Sequence, residues 1–306
     1  MDFVRVAEAS ALACFAVYGK GEKIEADRLA TKAAREAFKD VPFSGVIVIG
    51  EGEKDKAPGL FHGEKLGSGG VELDIAIDPL EGTTSLAEGR QNSISVFGVS
   101  PRGTMMQVPG TYMDVIAVGK KAAKAIDLKA GYTKNLKAIA KALGKDVSEV
   151  NVVILDRPRH AKAIEEIRKA GARVKLIDHG TVSATIATAM PNSGIDVLMG
   201  DGGAPETIIT ACALKCLGGN MQARLRPHTK EFEDQARTMG IKDFSKVYGL
   251  NDLIKSDDCL FVATGISDGP LVRGIQKIGK TTITNSITLN SINKTTRYIA
   301  TSHEDD

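Results

Sequence analysis

The stretch that decides the fold is Leu73-Asp74-Ile75-Ala76-Ile77-Asp78-Pro79-Leu80-Glu81-Gly82-Thr83-Thr84, an apolar run interrupted by acids and followed by hydroxyls. Side chains two and four positions apart share a face of a β-strand, so Asp74 and Asp78 are predicted to point into one space. Pro79 has no backbone N–H and disfavours a helix before it. We therefore expect the strand to end there and to turn Asp78 and Glu81 toward a common point.

Carboxylates placed in this way indicate a metal site, because hard oxygen ligands suit Mg²⁺ or Mn²⁺. The alternative is that Asp-Pro and Glu-Gly are ordinary turn residues. A second acidic cluster follows the apolar run 45–49 and includes Glu51, Glu53 and Asp55. Neighbouring strands lie about 5 Å apart, so two such ends suit a pair of ions ~4 Å apart, as in phosphoryl chemistry. A solvated acidic turn is the alternative, more for Glu53 than for Glu51.

Two further positions carry candidate charged groups. Lys23 and Asp27 are four residues apart, on one face of a predicted helix, where a surface ion pair is the simpler interpretation. In Gly202-Gly203-Ala204-Pro205-Glu206, the proline is a favoured first helical residue, which places Glu206 in the first turn. Helix-dipole capping would explain that carboxylate. The amides of the turn also suit a phosphate, for which Gly203 would leave room.

Thr83 and a basic motif are the candidates for chemistry and substrate binding. Beside a metal and a carboxylate, the Thr83 hydroxyl can orient a water and pass on its proton; hydroxyl capping of a helix start is the compatible alternative. Arg157-Pro158-Arg159-His160 follows the predicted strand 150–155. Two guanidiniums at a strand end can make bidentate phosphate contacts, and a basic solvated turn is the alternative.

The composition is that of an ordinary globular chain and excludes some classes of function. The 306 residues are 42% hydrophobic and 25% charged, and the net charge of +2 gives no global field for nucleic acid or a membrane. No apolar run reaches the length of a membrane span. The four cysteines lack the spacing of a zinc site and are predicted to be free thiols. Free thiols, together with the lack of a recognisable secretion signal, favour a cytoplasmic location.

Helical and strand patterns alternate along the chain, which predicts a mixed α/β fold of packed layers. Helices are expected near residues 2–17, 24–38, 133–143, 159–170, 181–190, 204–217 and 230–239. Strands are expected near 45–49, 72–78, 93–99, 113–118, 150–155, 173–177, 195–199, 259–263 and 295–300. The polar stretch 144–149 is the best candidate boundary, dividing an N-terminal half, 1–148, from a C-terminal half, 149–306.

Three of these motifs together resemble class II fructose-1,6-bisphosphatases, of the lithium-sensitive sugar and inositol phosphatase superfamily. They are the Ile49-Gly50-Glu51-Gly52-Glu53 motif, the segment from Asp74 to Thr84, and the Gly-Gly-Ala-Pro-Glu motif ending at Glu206. The resemblance covers nearly the whole chain. It implies an αβαβα sandwich, a homodimer or homotetramer, and lithium inhibition.

The resemblance also implies a role for each site residue. One Mg²⁺ or Mn²⁺ would be held by Asp27 and Glu51, and another by Asp78, Glu81 and Glu206. Thr83 would act with an acidic partner, either Asp55 or Asp74, and Lys23 would steady the transferring charge. The residues implied to contact the substrate are Glu81, Gly82, Thr83, Tyr112, Arg157, Pro158, Arg159, His179, Gly180, Thr181 and Gly203.

One loop departs from the family pattern. Where the family usually shows Asp-Gly-Asp, this chain has His179-Gly180-Thr181, with Asp178 one place earlier. The lost carboxylates would accept hydrogen bonds from sugar hydroxyls, so sedoheptulose 1,7-bisphosphate is an alternative substrate. The resemblance implies hydrolysis of the 1-phosphate of fructose 1,6-bisphosphate in gluconeogenesis. Two interpretations compete with this one, namely an inositol-type monoester phosphatase and a non-catalytic sugar-phosphate-binding regulator.

Overall fold

The computed structural model describes residues 1–52 and 59–304. They form two compact units, one of Met1–Met105 with Ser256–Asp306 and one of Met106–Lys255. These units differ from the predicted halves because four strands after residue 255 belong to the sheet of the first unit. None of the helices in the described ranges is long and apolar enough to cross a membrane.

Helices and strands alternate as the sequence pattern predicts. The helices are α1 (Asp2–Phe15), α2 (Lys23–Phe38), α3 (Thr83–Ala87), α4 (Tyr132–Leu143), α5 (Ala161–Lys169), α6 (Thr181–Ala187), α7 (Ala204–Leu217), α8 (Lys230–Thr238) and α9 (Leu250–Leu253). The strands are β1 (Phe43–Ile49), β2 (Lys65–Leu66), β3 (Val71–Glu81), β4 (Ile94–Pro101), β5 (Tyr112–Val118), β6 (Asn151–Leu155), β7 (Arg173–Ile177), β8 (Val197–Gly203), β9 (Asn220–Arg226), β10 (Tyr248–Gly249), β11 (Leu260–Gly265), β12 (Gln276–Ile278), β13 (Thr281–Asn290) and β14 (Thr295–Glu304). Strands β2, β9, β10, β12 and β13 and helix α9 were not predicted.

The first unit is built on a mixed sheet with the order β12-β13-β11-β4-β3-β1-β2, and β14 pairs with β13. Strands β1 and β3 run parallel, whereas β3 and β4 are antiparallel. Helices α1 and α2 supply Val6, Ala34 and Phe38 to a core that also buries Ile75 and Ile77 of β3. The isoleucines of the deciding stretch thus anchor β3 in the sheet.

Strand β3 continues past Pro79, where the sequence predicted an end. Asp78 pairs with Val96 and Glu81 with Ile94, so the register shifts between the two acids. Because proline has no N–H to donate, it interrupts the ladder locally. The strand resumes after this irregularity, and the Leu80 N–H donates to Asp78 Oδ1 at 3.0 Å.

The second unit has a six-stranded sheet with the order β10-β9-β5-β8-β6-β7. Strand β6 runs parallel to β7 and β8, and β5 is antiparallel to β8 and β9. Helices α4 and α5 pack their apolar faces, including Leu136, Ile139 and Ile167, on this sheet. The layered α/β class is therefore confirmed for each unit, and the αβαβα order of layers stays a prediction.

Candidate metal and phosphate sites

A sharp turn at Gly82 joins β3 to α3 in the first unit. Gly82 has φ 88°, and a Cβ there would lie 2.9 Å from the backbone oxygen of Asn92. Glycine suits this position best, because it adopts the left-handed conformation without strain and has no Cβ to collide with the neighbouring backbone. The turn makes Thr83 the first residue of α3 and places its hydroxyl directly after the acids of β3.

The start of α2 lies against this turn. The Thr83 hydroxyl donates to Asp27 Oδ1 at 2.9 Å and lies 3.2 Å from the carbonyl oxygen of Leu80. One position along, Lys23 Nζ donates to Thr84 Oγ1 at 3.0 Å. Lys23 and Asp27 thus each contact a threonine of α3, rather than pairing with one another as on a solvated helix face.

Asp27 is a half-buried carboxylate that accepts a hydrogen bond from a neutral hydroxyl. Burial raises the pKa of Asp27, and the hydrogen bond from Thr83 opposes that rise. A carboxylate that loses hydration in this way gains from a nearby cation. Asp27 therefore fits the role of a metal ligand.

The acids at the ends of β1 and β3 are brought to one edge of the sheet. Because β1 and β3 are parallel, Glu51, two residues after β1, follows the same edge as the end of β3. A carboxylate oxygen of Asp78 and one of Glu81 lie within 4.8 Å of each other. That spacing lets both oxygens bind one hard cation.

The two residues predicted as acidic partners of Thr83 have different outcomes. Asp74 is 2% exposed and accepts hydrogen bonds from the N–H groups of Thr104 (2.9 Å) and Met105 (3.1 Å). Arg102 lies 3.4 Å from its other oxygen. These contacts tie Asp74 to the chain after β4, whereas the carboxylate in contact with Thr83 is Asp27. Asp55 lies outside the described residues.

Glu206 lies in the first turn of α7 in the second unit, as the sequence predicted. Within the described part of the chain, its Oε2 atom is buried without a hydrogen-bond partner. Burial raises the pKa of Glu206. A buried, unpartnered carboxylate oxygen is costly unless a cation binds it, which fits a metal ligand.

A cluster around Arg159 lies on the sheet of the second unit. The Arg159 guanidinium makes a bidentate contact with Asp201, at 2.8 Å through both Nε and Nη2, and lies over the Tyr112 ring with 5.1 Å to its centroid. Two separately predicted substrate contacts, Tyr112 and Arg159, are thus brought together. Sequence reasoning missed Asp201, although its place before two glycines at the end of β8 was a usable signal.

Arg157 reaches a different group from Arg159. Its guanidinium donates to the carbonyl oxygens of Asp156 and Asp178 and lies 3.5 Å from His179 Nδ1. Pro158 begins the 3-10 turn Pro158–His160, from which the two arginines diverge. Gly180, at φ 85°, precedes Thr181 at the start of α6. Arg157 and the altered loop therefore form one cluster of substrate-site candidates.

His160 joins the Asp201 cluster through both ring nitrogens. Nδ1 lies 2.9 Å from the carbonyl oxygen of Leu155, and Nε2 lies 2.8 Å from Asp201 Oδ1. The Leu155 carbonyl and the Asp201 carboxylate are both acceptors, so the ring donates to both only when each nitrogen carries a proton. The Asp201 backbone N–H, 3.2 Å from Nε2, can donate to that nitrogen only when it is unprotonated. The hydrogen bond with Asp201 raises the pKa of His160 against the effect of burial. Burial acts to raise the pKa of Asp201, but hydrogen bonds from His160 and Arg159 outweigh it and lower that pKa to about 2.

We expect His160 to be mostly protonated at pH 6.5, the midpoint for an unperturbed imidazole. Its contribution to the free energy of unfolding is then fully present below that pH and is lost as the pH rises through the raised folded-state pKa. The ring carbon and nitrogen shifts of His160, followed by NMR across the titration, give the midpoint directly. His160→Gln should remove this part of the pH dependence of stability, and a folded-state midpoint at or below 6.5 would contradict the expectation.

Comparison with known proteins gives a consistent result over the whole chain. A family model described as "Bacterial fructose-1,6-bisphosphatase, glpX-encoded" matches residues 1–303. A protein of Escherichia coli (strain K12), "Fructose-1,6-bisphosphatase 2 class 2", is 40% identical over 313 residues, which cover 98% of this chain and 97% of the relative. A protein of Synechococcus sp. (strain JA-3-3Ab), "D-fructose 1,6-bisphosphatase class 2/sedoheptulose 1,7-bisphosphatase", is 38% identical and covers 100% of this chain and 95% of its own length.

Proposed function

Because this chain belongs to the bacterial fructose-1,6-bisphosphatase family, we propose that it hydrolyses the 1-phosphate of fructose 1,6-bisphosphate to fructose 6-phosphate and phosphate. The observation that carries the proposal is the hydrogen bond between Thr83 and Asp27 beside the paired oxygens of Asp78 and Glu81. A binding protein has no need of a hydroxyl held in this way, which speaks against a non-catalytic regulator.

The residues proposed to hold Mg²⁺ or Mn²⁺ have the oxygen chemistry that these ions require. Asp27 and Glu51 form one set, and Asp78, Glu81 and Glu206 form the other. A bound ion would lower the pKa of water and neutralise charge on the leaving oxygen. The raised pKa of Asp27 and the unpartnered oxygen of Glu206 support this assignment.

Thr83 has a specific role in the proposed reaction. Its proton is directed to Asp27, so the lone pairs of Oγ1 are left to accept a hydrogen bond from the attacking water. Asp27 fixes the hydroxyl rotamer and can receive a proton passed through Oγ1. Lys23, which contacts Thr84, brings a positive charge to the same turn and would steady the phosphoryl group.

Arg157, Arg159 and Tyr112 are proposed to hold the phosphate that is not cleaved. Asp201 binds one edge of the Arg159 guanidinium and leaves the other edge for phosphate oxygens. Arg157 would contact the substrate together with Gly180, Thr181 and His179. Pro158, Gly82 and Gly203 would shape the backbone at their respective contacts.

Sedoheptulose 1,7-bisphosphate is a second candidate substrate. The Synechococcus relative is named for both activities, and the loop at Asp178 lacks the acids that the family usually carries. An inositol-type monoester is a weaker candidate, since two arginines for a second phosphate would then have no purpose. Further proposals are a place in gluconeogenesis, a cytoplasmic location, lithium inhibition, and a homodimer or homotetramer that binds neither nucleic acid nor a membrane.

Phosphate release from fructose 1,6-bisphosphate with Mg²⁺ or Mn²⁺ tests the proposal, with sedoheptulose 1,7-bisphosphate and inositol 1-phosphate measured beside it. Preferred turnover of fructose 1,6-bisphosphate that stops with a chelator supports the main proposal. Preferred turnover of another ester would change the assigned substrate but keep the assigned reaction, metal-dependent phosphate hydrolysis. Failure to turn over any ester overturns the enzymatic proposal.

Gly203→Ala should lower kcat by roughly tenfold and leave the fold intact. A Cβ at Gly203 would collide with the carboxylate of Glu206, the movable end of a flexible side chain. The carboxylate would be displaced from its position while the helix stays in place. Gly202→Ala is the matched control, because a Cβ there would meet its nearest atom at 3.8 Å. Steady-state kinetics and thermal melts of both variants give the answer, and equal kcat values would contradict the assigned role of Glu206.

A further inference from the structure

A cavity of about 280 Å³ opens on the sheet of the second unit, beside the start of α4. Its polar lining includes Asp114, Tyr132, Arg224 and Arg226, and its apolar lining includes Ile116 and Met199. The volume is near the lower end of the ~300 to 1,000 Å³ usual for small-molecule sites. The proposed hydrolysis assigns no role to these four polar residues.

The two arginines face the cavity from one strand. In β9 they are two residues apart and therefore on the same face, and Arg224 lies opposite Asp114 of β5. Arg224 donates to Asp114 Oδ2 through Nε at 3.1 Å and Nη2 at 2.6 Å, and Arg226 donates to Oδ1 through Nη1 at 2.8 Å. A guanidinium has five N–H donors, so most donors of the pair remain for a ligand.

The charges of this group favour an anion. One carboxylate faces two guanidiniums, so the three side chains carry one net positive charge. Arg224 and Arg226 keep 42% and 59% of their side-chain surface exposed, whereas Asp114 keeps 16%. The guanidiniums, rather than the carboxylate, are thus the groups presented to an incoming ligand.

Tyr132 adds a hydrogen-bond donor to the same space. Burial raises the pKa of Tyr132, and the nearby carboxylate of Asp114 adds to that rise. The hydroxyl therefore stays protonated over the physiological range and can donate to an oxyanion. Ile116 and Met199 offer an apolar surface to the carbon part of a ligand.

We propose that this cavity binds a small phosphorylated metabolite, with Arg224 and Arg226 contacting its phosphate and Tyr132 donating to a phosphate oxygen. A phosphate monoester has three terminal oxygens in a tetrahedral arrangement, so it can contact two separated guanidiniums and a hydroxyl together. A planar carboxylate has only two oxygens, and the carboxylate of Asp114 already lies between the two arginines. A phosphate therefore suits the remaining donors better than a second carboxylate does.

The site is distinct from the proposed sugar-phosphate contacts, although it adjoins them. Tyr112 lies opposite Arg226 and two residues from Asp114, on the same face of β5. The guanidinium of Arg159, in contrast, is held by Asp201. A test must therefore separate a phosphate bound at Arg159 from one bound in the cavity.

Methionine-methyl NMR on the full chain without metal can locate the ligand. Met199 lines the cavity, and Met221, on the opposite face of β9, is the internal reference. Inorganic phosphate and glycerol 3-phosphate are the probes, malonate is the carboxylate comparator, and Met199→Leu assigns the signal. Because the titrations are run in an Arg159→Ala background as well, a shift that persists there comes from the cavity.

The Met199 signal should shift saturably with both phosphate probes, and Met221 should not shift. Arg226→Gln should raise the half-saturating phosphate concentration at least tenfold, while Arg297→Gln, an exposed arginine of the first unit, should not change it. Tyr132→Phe retains the ion pairs and should weaken binding several-fold, which keeps the test valid if the arginine variants unfold. An unshifted Met199 signal, a shift insensitive to these variants, or tighter binding of malonate than of phosphate overturns the proposal.

Discussion

Thr83→Ala is expected to lower kcat for phosphate release by roughly 10²- to 10⁴-fold, the range found when a group that handles a proton in the transition state is removed. The hydroxyl is held 2.9 Å from Asp27 Oδ1, in a turn whose backbone is fixed by Gly82. Without it, water loses its hydrogen-bond acceptor and Asp27 loses the hydrogen bond that orients it. The KM should change little, because the effect lies in the chemical step.

Two controls separate this role from a structural one. Thr83→Ser retains the hydroxyl and should recover most of the activity. Thr84→Ala removes the neighbouring hydroxyl, which accepts from Lys23 at 3.0 Å, and should cost far less than Thr83→Ala. Thermal melts should show that Thr83→Ala lowers the free energy of unfolding by at most about 1 kcal/mol, as when other hydroxyls at the start of a helix are removed. Similar kcat losses in both alanine variants would contradict a specific role for Thr83.

Arg159→Ala is expected to raise the KM for fructose 1,6-bisphosphate by roughly 100-fold, about 2.7 kcal/mol of binding free energy. The physical reason is that the variant removes the guanidinium proposed to bind the second phosphate, which Asp201 holds in position at 2.8 Å. A substrate with one phosphate does not use this contact. The kcat/KM for a monophosphate substrate should therefore fall much less than that for fructose 1,6-bisphosphate. The ratio of these two decreases measures the role of Arg159 in selecting bisphosphates.

Arg168→Ala is the matched control, because Arg168 is an exposed arginine at the end of the neighbouring helix α5. Arg168→Ala should leave KM and kcat/KM unchanged for both substrates. Arg159→Lys retains the charge without the planar fork and should recover only part of the affinity. Steady-state kinetics on fructose 1,6-bisphosphate and inositol 1-phosphate provide the comparison. Equal losses on both substrates would show that Arg159 does not bind the second phosphate.

Local patterns predicted the elements that carry the site. Alternating and continuous apolar residues predicted β1 and β3, and the Pro205 signal predicted the start of α7 at Ala204. Strand β9 alternates buried Met221, Ala223 and Leu225 with polar residues, a strand signal that sequence reasoning missed. In strands such as β13, by contrast, Thr, Asn and Ser predominate. Such strands form because neighbouring strands satisfy their backbone groups, which a local pattern does not show.

The sequence by itself determined the family, the acids at the strand ends and the glycine turn before Thr83, because these depend on residue type and short spacing. Only the tertiary structure decided which groups meet. Thr83 contacts Asp27 across 56 positions, and Arg159 contacts Asp201 across 42. The strand order likewise returns β11 and β13 to the sheet of the first unit. These outcomes depend on strand order and helix packing, which bring distant residues together through backbone pairing and burial rather than through local propensity.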